Sequence, residues 1–115
     1  TGDWPIAKLQ AGDAQAIQAK TDLVKMSPDT ARKQAERHSD LHALEYANVQ
    51  AAVEHGQRIQ DGDKSLVYLL EEEGYVTVVK ATRTGEAVWL TSFRRLSRDQ
   101  GLRDREVLRL KERGK

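Results

Sequence analysis

The chain contains no cysteine. That excludes a disulfide scaffold, a thiol nucleophile and a thiolate metal site together. It leaves the compartment open, because a domain that unfolds to cross a membrane also does well without disulfides. Aromatic residues are scarce, at 5%, too few for a surface that stacks many bases. Trp4, Trp89 and Phe93 are the few large anchors, so the core must rest on Val, Leu and Ala. No apolar run is long enough to span a bilayer and no signal-peptide pattern opens the chain, so membrane anchoring is not expected. A Gly-rich phosphate loop, a GxSxG elbow, and helix-turn-helix and zinc-finger signatures are also missing. So are internal repeats and low-complexity segments.

Charge, in contrast, is abundant, at 32% of 115 residues. A chain of this length holds one modest core, so residues 1–115 read as one domain and as a monomer. The net charge of +1 hides an asymmetry, since residues 94–115 carry 9 basic and 4 acidic side chains. Local clustering matters more to a polyanion than the total, because screening limits each charge to about 8 Å at physiological salt. A solvated, charge-laced C-terminal helix accounts for the same numbers.

Patterning predicts an α+β domain. Residues 1–21 read as a turn-rich N-terminal extension in which Asp13 caps a short helix over about 14–20. Residues 22–95 read as the core, and 96–115 as a basic, helical C-terminal segment. Leu23–Met26 is a short strand, and Ser27-Pro28 starts a helix running to about His38, with Ser as N-cap and Pro at the first position. A second helix, opened by Ser39-Asp40, reaches His55, and Gly56 occupies the place of a terminating glycine. The period then changes to that of strands at Leu66–Leu70, Tyr75–Arg83 and Glu86–Arg95. A three-residue loop at Arg83-Thr84-Gly85 would pair Tyr75 with Phe93, Thr77 with Thr91 and Val79 with Trp89, whereas a two-residue turn would shift every pair by one. Ser97-Arg98-Asp99-Gln100 has capping-box form, although alternation at Leu108 and Leu110 leaves a strand open there.

Three histidines can do acid–base chemistry near neutral pH. His38 and His42 have the spacing of a metal pair on a continuous helix, but Ser39-Asp40 argues for a break, and no third ligand completes a site. His55 reads as a helix-end residue. Lys80 sits mid-strand. Thr91-Ser92 followed by Arg94-Arg95 pairs hydroxyls with guanidinium forks, a combination suited to phosphate. Adjacent strand residues face opposite sides, so one of Thr91/Ser92 and one of Arg94/Arg95 should share a face with Lys80. Each of these residues also has an ordinary reading as a solvated strand or helix residue, and Tyr68, Tyr75 and Trp89 read most simply as core.

Residues 22–95 resemble the phage-associated branch of the barnase–EndoU–colicin–RelE ribonuclease superfamily. The resemblance rests on Leu23–Pro28, Glu36-Arg37-His38-Ser39-Asp40-Leu41, Glu54-His55-Gly56, Tyr75–Thr82 and Glu86–Arg94. Such domains occur at the C-termini of Mu-like phage head morphogenesis proteins and in polymorphic toxins, including those of contact-dependent inhibition systems. The resemblance implies N-terminal helices on a curved antiparallel sheet of about four strands with RNA on its open face. It implies metal-independent, cofactor-free cleavage of RNA, with tRNA the expected target. His38, Lys80, Thr91 (or Ser92) and Arg94 fall on the family's catalytic positions, with Ser39 where the family often has Pro. His42, Tyr75, Thr82, Ser92 and Arg95 would line the substrate. A toxin of this kind implies a cognate immunity protein and action in the cytoplasm of a target cell, delivered as the C-terminal part of a larger protein. The chain does not begin with Met, as expected of such a piece. Two other classes compete: a non-catalytic phage structural or RNA-binding module of the same fold, and a DNase or other metal-dependent hydrolase.

Overall fold

The computed structural model describes residues 3–113. The elements follow the order β1 (Trp4–Lys8), α1 (Ala11–Ala16), β2 (Leu23–Met26), α2 (Pro28–Arg37), a 3-10 turn (Ala43–Ala47), α3 (Asn48–His55), β3 (Gln57–Gln60), β4 (Ser65–Leu70), β5 (Tyr75–Ala81), β6 (Val88–Arg95) and α4 (Gln100–Arg113). The class is α+β as expected, but the sheet has six strands rather than about four, in the order β1-β2-β6-β5-β4-β3. It is also mixed, because β2 pairs parallel with β6.

The two unforeseen strands are its edges. β1 lies in the segment read as an extension, yet Ala7, Leu9, Ala14 and Ile17 are all buried, so this segment completes the core. β3 is polar apart from buried Ile59, as an edge strand with one covered face can be.

Both sheet faces carry apolar clusters, which explains why Leu66–Leu70 shows no alternation: every one of these residues is buried. Leu66, Tyr68, Val79, Leu90 and Phe93 pack on one face with Ile17 of α1 and Val49, Ala52 and Val53 of α3. Val67, Leu69 and Val76 pack on the other with Val107 and Leu110 of α4. Each fully buried side chain of this size contributes about 1.5–3 kcal/mol relative to exposure. Beyond α4 the second face is open: Lys80 and Thr91 are exposed and Trp89 is half-buried.

Ser27 caps α2 as expected, its Oγ accepting from the Thr30 N–H at 3.1 Å. The helix breaks after Arg37, so His38 and His42 do not share a helix. The expected second helix is replaced by the 3-10 turn and a shorter α3. His42 caps that turn, with Nδ1 accepting from the Leu44 N–H at 3.2 Å. Asp13 lies inside α1 rather than before it, and Asp99 rather than Ser97 caps α4, accepting from the Leu102 N–H at 2.9 Å. α4 runs unbroken through Gly101, Leu108 and Leu110. Gly56 is extended, with φ −72°. Its lack of a side chain matters because a Cβ there would lie 2.5 Å from the Ala52 carbonyl oxygen.

The β5–β6 register lies one residue off the three-residue-loop pairing near the turn and two residues off beyond Thr91, so neither expected alternative holds along the whole hairpin. Thr82 N–H donates to the Ala87 carbonyl and Gly85 N–H to the Thr82 carbonyl, each at 2.9 Å, giving a longer loop. Lys80 therefore pairs with Trp89 and Val79 with Leu90. Thr91 is then an extra residue, and pairing resumes with Val78 opposite Ser92, Thr77 opposite Phe93 and Tyr75 opposite Arg95. Gly85 has φ +79°, and a Cβ would meet the Gln18 carbonyl oxygen at 2.2 Å, so only glycine fits.

Candidate functional site

β2 pairs with β6 at Val88 and Trp89 alone before the chain turns into α2. That would leave the edge of β6 open at Phe93. Gln34 closes it: Nε2 donates to the Phe93 carbonyl at 2.6 Å, and Oε1 accepts from the Phe93 N–H at 3.1 Å. One buried side-chain amide thus makes the pair of bonds that a neighbouring strand would make. Because Gln34 is fixed, its helix neighbours at three- and four-residue spacing face β6 as well.

Thr30 and Arg37 consequently face β6, and with Lys33 and the C-cap His38 they form one wall of a groove of about 360 Å³, with Thr91 and Ser92 forming the other. Among the described residues no carboxylate lines it. Lys33 reaches back to Asp29 at 3.3 Å across an exposed helix turn, a pairing worth little in water. Arg37 has no ion-pair partner, and nothing hydrogen-bonds the His38 ring, among the described residues.

The bulge at Thr91 changes what β6 presents. Alternation would send Thr91 and Ser92 to opposite faces, but the extra residue lets both border the groove. Thr91 Oγ1 donates to the Val78 carbonyl at 3.2 Å, satisfying an acceptor at the irregularity. Thr91 also borders a second depression, of about 450 Å³, shared with Lys64, Lys80, Thr82, Arg83 and Trp89. Lys25 lies over the Trp89 ring, 5.0 Å from its centroid. The two hollows therefore meet at Thr91; cations and hydroxyls border both, and Trp89 and Ala81 make much of the second apolar.

The remaining expected site residues lie elsewhere. Arg94 donates to Glu106 of α4 at 2.6 Å, and Glu106 also accepts from the Ser97 N–H at 3.1 Å. Burial alone would raise the Glu106 pKa, but Arg94 and the Ser97 N–H together lower it. Arg94 is therefore engaged in docking α4. Tyr75, Arg95 and His42 gather around Glu45 on the helix-covered side. Glu45 accepts from the His42 N–H at 2.5 Å, from the Tyr75 hydroxyl at 2.7 Å and from Arg95. The His42 N–H, then the Tyr75 hydroxyl, with Arg95 adding, depress the Glu45 pKa to about 2. The bond to Glu45 in turn raises the Tyr75 hydroxyl. These three residues tie the 3-10 turn to β5 and β6 and do not reach the groove. Thr82 closes the hairpin, its Oγ1 accepting from the Ala87 N–H at 3.2 Å.

Of the nine residues singled out from sequence, His38, Thr91 and Ser92 meet in the groove, and Lys80 and Thr82 line the depression beside it. Lys25, Lys33, Arg37, Lys64 and Arg83 were missed. Their signal was partly present, since Thr30, Lys33, Gln34 and Arg37 fall on one helical face. Among the described residues no three His, Asp or Glu side chains converge as metal ligands do. No family model, curated protein or solved structure matches the chain.

Proposed function

We propose that this domain is an endoribonuclease that cleaves RNA without a metal ion, working in the groove between α2 and β6. The observation that carries the reading is the company of His38: hydroxyls and two cations line the same groove, and among the described residues no carboxylate does. A phosphodiester needs such surroundings. His38 takes the proton of the ribose 2′-OH, whose oxygen attacks phosphorus. The bond to the 5′-oxygen breaks, and that oxygen is protonated from solvent. The products end in a 2′,3′-cyclic phosphate and a 5′-OH. Ser92 donates to a non-bridging oxygen, while Arg37 and Lys80 stabilise the charge that develops on phosphorus. Arg37 thus takes the part that the sequence resemblance gave to Arg94, which Glu106 occupies. In a toxin setting the substrate is tRNA and a cognate immunity protein covers the basic face.

The test is to incubate the purified domain with tRNA in EDTA and identify the new ends. Cyclic phosphate ends are expected, and His38→Ala should slow cleavage by about 10²–10⁴-fold. Intact RNA with folded wild-type protein would refute the reading. The occupied state of Arg94 favours a second reading, an RNA-binding module that has lost cleavage. It predicts binding that survives His38→Ala and no cleavage by either protein.

A further inference from the structure

α4 carries Arg105, Arg109 and Arg113 at four-residue spacing, so they stand one above another along one side of the helix. Like charges in this series oppose helix formation by about 0.2–0.5 kcal/mol per pair. A solvated helix relieves this by interleaving acids, but of the two acids beside this row Glu106 is drawn down to Arg94 and the Ser97 N–H, and exposed Glu112, three residues beyond Arg109, makes no ion pair among the described residues. Arg105 and Arg109 are exposed and make no ion pair among the described residues, and Arg113 meets Asp61 only at 3.9 Å. With Arg94, Leu102, Leu110 and Glu106, whose carboxylate is taken up by Arg94 and the Ser97 N–H, these three arginines enclose a cleft of about 390 Å³.

The cleft is joined to the groove through β6. Ser92 borders the groove, and Arg94, two residues on and therefore on the same sheet face, borders the cleft. Successive arginines on the helix rise by about 6 Å, a step comparable with that between neighbouring phosphates of a nucleotide strand. A guanidinium grips a phosphate with two parallel donors.

We infer that the α4 cleft is a second phosphate-binding site, which holds the sugar–phosphate backbone of the same RNA strand outside the groove and sets affinity rather than chemistry. This rests on the proposed function for the identity of the polyanion. The continuity with Ser92 favours RNA over an anionic lipid surface.

The test uses Arg105→Gln with Arg109→Gln in the full chain, and Arg105→Lys with Arg109→Lys as the charge-keeping control. Binding of a twenty-nucleotide 2′-O-methyl RNA is followed by fluorescence anisotropy across a salt series. A 2′-O-methyl trinucleotide is titrated by chemical shift. Glutamine should weaken the long RNA by about tenfold and lower the salt slope by about 1.4, because two phosphates of a single strand are no longer neutralised. It should leave the trinucleotide unchanged, and lysine should keep most of the slope. Equal losses for both RNAs, or no loss for either, would overturn the inference. Lost binding to phosphatidylserine vesicles with RNA binding unchanged would overturn it as well. Wild-type protein that binds the long RNA but never cleaves an unmodified one would sink the ribonuclease reading and leave the second site standing.

Discussion

On the helix-covered face of the sheet, Glu45 meets Arg95, Tyr75 and the His42 N–H, and Asp13 meets the Tyr68 hydroxyl at 2.6 Å and Arg58 at 2.9 Å. On the open face, Lys64, Lys80 and Arg83 gather around Thr91 with no carboxylate in ion-pair range among the described residues. The difference divides the charged residues by task. Acids paired with partners on other elements hold helices to the sheet, as Glu106 also does for α4. Cations left without acids leave a surface that favours an anion. Unpaired charge in water costs the fold little, so the open face can keep it.

This division should be visible when residues on the two faces are changed. The largest effect on stability is expected at Gln34, where α2 meets β6. Gln34→Ala strands the buried Phe93 N–H and carbonyl, at about 1–3 kcal/mol for each group, and urea unfolding measures the sum. A smaller, pH-dependent effect is expected at Glu45. Its folded pKa of about 2 lies below the ordinary 4.5, so its contribution is present above about pH 4.5 and is lost as pH falls toward 2. Glu45→Gln should be less stable than wild type at neutral pH, and its urea midpoint should change less across that window; parallel pH profiles would contradict the pairing. The smallest effects on stability belong to the open face. Arg37→Ala and Lys80→Ala should shift unfolding by no more than about 0.5 kcal/mol. The same variants should lose RNA affinity measurably in a filter-binding or anisotropy assay, and destabilisation as large as that of Gln34→Ala would erase the contrast.

How much of this was legible in the sequence follows from which signals are local. β5 and β6 are dense in β-branched and aromatic residues, β4 is a short unbroken apolar run, and Ser27-Pro28 announces α2 through chemistry confined to four residues. β1 contains Pro5 and lies in a turn-rich stretch, and β3 reads Gln-Arg-Ile-Gln, so neither shows a strand period. Both exist because the sheet needs their backbone groups. The register of β6 depended on a longer hairpin loop and on a single unpaired residue, Thr91, and a bulge leaves no mark in composition. His38 and Lys80 could be singled out by type and position. The fates of Arg94 and Arg95 could not, because their partners, Glu106 and Glu45, lie 12 and 50 residues away. Arg37 was hidden for the opposite reason: it matters because, among the described residues, no acid reaches it.

The most direct test of the open face as the RNA site is a chemical-shift map with an uncleavable 2′-O-methyl RNA, which separates where RNA binds from whether it is cut. The predicted perturbations centre on Arg37, His38, Thr91 and Ser92 and extend to Lys80 and Trp89, with Glu45, Tyr75 and Asp13 unmoved. Perturbations centred on the Glu45 cluster, or none at saturating RNA, would contradict the account.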